Sequence, residues 1–274
     1  MDKKTLFNEA LTLRDQGKFK EAADLLLSLA IGTDDLFEKA GMLLNLTHTL
    51  KAAGTLDLAR TQLNAARELL ILPPNTVLGN ADDENRRRLL IWAELEDARI
   101  VGADERLQNE AIASLNKTLA DHQSELCRPN FAEIYQAVQR DRGFLLTNLG
   151  SFTEALPILE EVDSADQHDR WTLFYLGFCY SCTGKLLDAR RKLEEAIRLG
   201  LTPDFEGRAR CALGASYYEL GDYAKAKSEL EQGVKTASPK YVKKAAIWRW
   251  LEYTCVNLGL KAEAEHYRQL DRSS

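Results

Sequence analysis

The chain has 274 residues, 45% hydrophobic and 28% charged, with a formal net charge of −6. An acidic balance is a poor match for nucleic acid, which needs concentrated positive charge to displace counterions, and for an anionic membrane face. No run approaches the roughly 18–20 apolar residues of a membrane span, so neither nucleic acid nor membrane is an expected partner.

Met1–Glu9 lacks the apolar core of a secretory signal, and no such leader is expected. Five cysteines, odd in number and irregularly spread, do not form a disulfide framework. A reducing cytoplasm is the expected compartment.

Six prolines and sixteen glycines in so long a chain favour helix nearly throughout. Glycine recurs at expected turns, at Gly17, Gly54, Gly150, Gly184, Gly221 and Gly259, and an alanine follows each by five positions, at Ala22, Ala59, Ala155, Ala189, Ala226 and Ala264. Most intervals are about 34–38 residues, and the gap from Gly54 to Gly150 has room for two units. Leu72–Asp83 interrupts this rhythm, because adjacent Pro73 and Pro74 remove donors and restrict the residue before them. An irregular insertion over about 72–85 is expected, running into Arg86, Arg87 and Arg88. The preceding acids make that arginine run a solvated, internally paired surface. The alternative for the insertion is a flap or hinge.

Around Glu94, Glu96, Asp97 and Arg99 the charges have the spacing of a solvated helix face with local ion pairs. Between about Arg170 and Gly200 two amphipathic helices meet at Gly184, with small Gly177 and Ala189 where the axes must approach closely. Thr202–Pro203 and Ser238–Pro239 read as N-cap and first helical position of the next two units.

Cys179 and Cys182 fall near a helix C-terminus, where the dipole disfavours thiolate, so they read as core or groove-lining residues. His48, His122, His168 and His266 are scattered without the short spacing of a zinc site. There is no phosphate loop, zinc-protease motif or nucleophile elbow. No catalytic residue, metal or cofactor is expected.

In the fifth and sixth units the order is a bulky residue, then Leu-Gly, Tyr, a turn glycine, Ala, a large apolar residue and a second Ala, as in Leu213, Gly214, Tyr217, Gly221, Ala226 and Leu230. This order resembles the tetratricopeptide repeat. The likeness extends to Ala10 and Leu26 in the first unit, Thr47, Ala59, Leu63 and Ala66 in the second, and Gly143, Gly150, Ala155 and Leu159 in the fourth. The third unit is placed from Ala111, Leu115 and the run from about Glu84 to Val101, and it lacks the turn glycine. The seventh carries Trp248, Leu251, Gly259 and Ala264.

The resemblance implies an all-α, right-handed superhelical solenoid of about seven antiparallel helix pairs, a single domain over residues 1–274. First helices would line a groove that binds a protein or peptide partner. Carried onto this sequence, the groove positions hold Leu44, His48, Glu96 and Ile100 in the second and third units and Arg140, Phe144 and Asn148 in the fourth. The fifth adds Trp171, Phe174 and Phe178, and the last two add Arg208, Tyr218, Arg249 and Tyr253. Aromatic area with flanking arginines suits peptide recognition. Some family members clamp an acidic chaperone tail with a Lys, Asn and Arg set, and no three successive units here carry it. The alternatives are self-assembly, with a homo-oligomer formed through the C-terminal end, and a signalling-peptide or small-ligand sensor without an output domain.

Overall fold

The computed structural model describes residues 2–73, 76–165 and 169–273. Sixteen α-helices and no strand occur among them: α1 Lys3–Asp15, α2 Phe19–Ile31, α3 Leu36–Ala52, α4 Leu56–Leu70, α5 Asn80–Val101, α6 Gln108–Asp121, α7 Gln123–Leu126, α8 Ala132–Asn148, α9 Phe152–Ala165, α10 Arg170–Cys182, α11 Leu186–Arg198, α12 Pro203–Glu219, α13 Tyr223–Thr236, α14 Pro239–Lys244, α15 Ile247–Asn257 and α16 Lys261–Ser273. The protein is an all-α helical repeat. Its chain divides into two compact units, Met1–Asp141 and Arg142–Ser274, with the boundary inside α8.

The recurring glycines close six helix pairs in one way. Gly17, Gly54, Gly150, Gly184, Gly221 and Gly259 all have φ between 74° and 81°. A residue with a β-carbon is strained in that left-handed region, and glycine is not. The residue after each glycine donates its N–H to the carbonyl five positions back, as in Lys18 to Leu13 (2.9 Å) and Lys185 to Tyr180 (2.9 Å). This closure satisfies carbonyls that the helix end would leave unpaired.

The third pair ends differently. Gly102 keeps a right-handed conformation after α5, and a 3-10 turn at Glu105–Leu107, capped by Asp104, leads into α6. Helix α5 already begins at Asn80, so the irregular insertion is shorter than the expected 72–85. Pro74 and Asn75 lie outside the described residues.

In three pairs a glycine meets a leucine sixteen positions later: Gly143 with Leu159, Gly177 with Leu193 and Gly214 with Leu230. A β-carbon on Gly143 would stand 2.6 Å from Leu159, and on Gly177 2.8 Å from Leu193, so these helices are in backbone-close contact. Leu26, Leu63, Leu115, Leu159, Leu193 and Leu230 are buried, as is the alanine five positions beyond each turn glycine. Truncating such a leucine to alanine typically costs about 2–5 kcal/mol. In the first unit α2 packs on α1 and α3, and α4 on α3 and α5. In the second, α11 packs on α10 and α12, and α13 on α12 and α15. Each element thus contacts mainly its sequence neighbours, the hallmark of a repeat array.

The seventh pair departs from the expectation of one continuous first helix. It is broken into α14 and α15 at Ala246, which has φ 51° and is the single non-glycine residue with positive φ among those described. Thr202 and Ser238 occupy N-cap positions before Pro203 and Pro239, but neither side chain makes a capping hydrogen bond. Around Ser238 the job falls to Asp204, whose Oδ1 accepts from the Ser238 N–H at 2.6 Å.

Candidate functional site

In the second unit a cavity of about 420 Å³ is lined by Asn148, Phe152, Phe174, Tyr175, Phe178, Arg208, Tyr241 and Lys244, together with Thr147, Leu149, Gly150 and Ala245. Its aromatic side is built from α9, α10 and α14. Phe174 is 4% exposed and meets Tyr175 and Phe205 edge-on at 5.0 and 5.3 Å. Phe178 is half-buried, 6.1 Å from Phe152. Phe144 stacks on Tyr175 with ring centroids 4.1 Å apart, and Trp171 meets Phe205 edge-on at 5.0 Å. Phe144 and Trp171 therefore spend ring area on neighbouring rings.

The charged side centres on Arg208. Asp204 holds its guanidinium at 2.7 Å, and the group lies over the rings of Phe205 (4.9 Å) and Tyr241 (5.2 Å). Because Asp204 also caps the start of α14, one carboxylate fixes both the arginine and the helix that brings in Tyr241 and Lys244. The Arg208 Nε is buried without a hydrogen-bond partner. Among the described residues no carboxylate lines this cavity.

A second cavity, also about 420 Å³, has Phe178, Tyr241 and Ala245 in common with the first and adds Cys182, Cys211, Leu186, Ile247 and Trp250. Burial pushes the Cys182 and Cys179 thiols up to about 11 and Cys211 up to about 12. All three are held as thiols at neutral pH, Cys179 and Cys211 buried and Cys182 exposed. Cys179 is in the core against the Thr147 hydroxyl (3.1 Å).

The other groove positions on this side lie apart from both cavities. Tyr218 meets Tyr223 and Trp250 edge-on, and its hydroxyl accepts from Asn257 Nδ2 at 3.2 Å. Tyr253 is 46% exposed. Arg249 was expected to orient a ligand. It pairs with Asp271 of α16, 3.1 Å away, and lines neither cavity.

Arg140 lines a different cavity, of about 490 Å³, within the first unit. Leu44, His48 and Glu96 line it too, and with them Arg14, Arg88, Trp92, Arg99 and Glu133, none of which the groove positions include. Ile100 is in the core.

The expectation of a solvated charge face over residues 94–99 is overturned for two of its members. Glu96 is 3% exposed. It pairs with Arg99 and with His48 Nδ1 (3.2 Å), while Arg99 Nε donates to Asp141 at 2.5 Å. Burial would raise the Glu96 carboxyl, but Arg99, His48 and Lys51 together hold it down at about 2. Burial lowers both His48 and Lys51 below their usual values. Packing of α3 and α8 residues over α5 took these charges out of water, and helical spacing cannot register that.

The outer members do behave as a solvated face: Asp97 pairs with Arg67 (3.2 Å) and Glu94 with His122 (3.2 Å). His168 lies outside the described residues. In the arginine run, Arg87 pairs with Asp83 (2.6 Å), and Arg86 donates to the Leu70 carbonyl (2.8 Å).

The missed aromatic residues had little sequence signal. Tyr175 sits one position from Phe174, and Tyr241 lies in the short helix before the break at Ala246.

A family model of the tetratricopeptide repeat matches residues 207–238, which cover most of α12 and all of α13. No curated protein sequence matches the chain. Among solved structures, a signal-transduction ATPase of the STAND class with a tetratricopeptide repeat sensor, from Pyrococcus horikoshii, aligns with TM-score 0.58 at 18% identity. The match covers 98% of this chain and 42% of that one, so this chain spans less than half its length. A tetratricopeptide repeat protein from Parabacteroides merdae aligns with TM-score 0.46 at 14% identity, over 99% of this chain and 92% of that one. YrrB, described as a TPR protein with an unusual peptide-binding site, aligns with TM-score 0.44 at 18% identity, over 73% and 87%. At such identities the likeness concerns the fold. The matched segment, residues 207–238, is similar to one tetratricopeptide repeat, and the likeness to the solved structures is one of all-α helical-repeat fold. No described helix is long and apolar enough to cross a membrane.

Proposed function

We propose that this protein is a non-enzymatic adaptor whose second unit binds an extended peptide segment of a partner protein. The observation that carries the reading is the aromatic cavity lined by Phe174, Phe178 and Tyr241, with Arg208 and Lys244 as its cations and, among the described residues, no carboxylate. The matching segment has an aromatic or large aliphatic anchor next to an acidic residue. Buried rings supply contact area at small entropic cost, and a preset guanidinium receives a carboxylate with little further ordering. A cytoplasmic setting belongs to the same reading, since the free cysteines sit as thiols in and around this site.

The test is binding of the purified protein to arrayed peptides, read by fluorescence anisotropy. Peptides pairing an apolar anchor with Asp or Glu should bind best. Phe178→Ala and Lys244→Glu should each weaken them at least about tenfold, roughly 1.4 kcal/mol. Lys244 is exposed, so its reversal leaves the fold intact. Peptides whose affinity ignores both substitutions would place the binding site elsewhere.

A further inference from the structure

The first unit's cavity has chemistry that the repeat framework does not need. Glu96 lines it and is 3% exposed. One carboxylate oxygen serves His48 and Arg99, but the other, Oε2, is buried with no hydrogen-bond partner. A buried acceptor left unpaired is costly, by about 1–3 kcal/mol and more when charged. The opposite deficit is in the same cavity. Arg88 has a buried Nε without a hydrogen-bond partner, and its nearest carboxylate, Glu133, stands 4.0 Å from its terminal nitrogen. Arg14, paired through its Nε with Asp15 at 3.4 Å, adds a further guanidinium, and Trp92 and Phe7 supply apolar wall. The volume, about 490 Å³, is in the range of small-molecule sites.

We propose that this cavity is a binding site for a small zwitterion of the amino-acid or short-peptide class. Its ammonium donates to Glu96 Oε2, and its carboxylate is received on the Arg88 and Arg14 side. An anion alone would leave Glu96 Oε2 unpaired, and a cation alone would leave Arg88 Nε so. A molecule bearing both charges satisfies both deficits. The side chain of the ligand lies along Trp92 and Phe7. This site is independent of the peptide cavity in the second unit.

The experiment is a thermal-shift screen followed by calorimetry on the full chain. The probes are the free amino acids and a set of unblocked di- and tripeptides, each beside its N-acetylated and C-amidated forms, with inorganic phosphate as an anion control. Saturable binding of an unblocked compound is expected, weakened at least about tenfold by either blocking group. Arg88→Gln should weaken the unblocked compound by a similar factor and leave the C-amidated form unchanged. Glu96→Gln should do the same against the N-acetylated form. Lys244→Glu and Phe178→Ala should leave this binding intact even if they abolish peptide binding by the second unit.

The proposal is overturned if no unblocked compound binds at millimolar concentration. It also falls if acetylation is without effect, or if phosphate binds as well as the zwitterions. Should Glu96→Gln fail to fold, Arg88→Gln and the blocked ligands still decide the matter.

Discussion

The two units share one packing scheme and differ in what faces their cavities. Both close helix pairs with left-handed glycines, the third pair excepted. The first unit then buries a network of His48, Glu96, Arg99 and Asp141 beside its cavity. The second surrounds its cavity with rings and holds its arginine by one carboxylate and two aromatic faces. A repeat array demands only the interhelical positions, so the cavity-facing positions are free to diverge. In the first unit they specify charge, and in the second apolar area.

The sharpest way to break this comparison is to remove the central cation of the first unit. Arg99→Ala leaves Glu96 and Asp141 without their main counterion, and loss of one partner in a buried ionic network costs about 3–5 kcal/mol. In the second unit Arg210 pairs with Glu206 and Glu229 while remaining partly solvated, and Arg210→Ala should cost about 1 kcal/mol. Denaturant unfolding of both variants measures the difference. Equal losses would mean that the first network is no more buried in effect than the second.

The units should also respond to opposite ends of the pH scale. His48 has a lowered value in the fold, so its contribution is fully present above its ordinary value of 6.5 and is lost as pH falls below it. Glu96, at about 2 against an ordinary 4.5, contributes fully above 4.5 and loses that contribution as pH falls towards 2. Both act in the same sense, and acid should loosen the first unit. The second unit's Cys179, Cys182 and Cys211 are raised from 9 to about 11–12, so their contribution is present below 9 and disappears as pH rises through that window. Hydrogen exchange resolved by segment should show α3 and α5 opening first in acid and α10 and α12 first in alkali. A uniform response would erase the distinction.

Smaller effects refine the second unit. Ala246→Gly relieves the left-handed strain and should stabilise by about 1 kcal/mol, with peptide binding retained because the break after α14 is kept. Arg249→Ala removes a solvated pair with Asp271 and should leave peptide affinity unchanged. A clear loss of affinity would return Arg249 to the site.

Legibility followed the same division. The turn glycines and the pairs Ala10 with Leu26, Gly177 with Leu193 and Gly214 with Leu230 were readable because left-handed turns and close helix contacts each admit few residue types. Asn148, Phe174, Phe178 and Arg208 were named from repeat register, and the fold brings these four to one cavity. Phe144, Tyr218 and Tyr253 are on the intended helices but outside both cavities, since a register position says nothing of the ring next door.

The sequence by itself determined the helix pairs, their turns and their spacing, because those depend on local backbone sterics and on contacts between neighbours in the chain. Only the tertiary structure decided which charges lost their water, which rings stacked on each other, and where the last first-helix broke. Glu96 and Asp97 are adjacent in sequence, yet one is buried in an ionic network and the other pairs at the surface. That difference arises from which face of α5 the flanking helices cover, and burial is a property of the covering partner as much as of the residue.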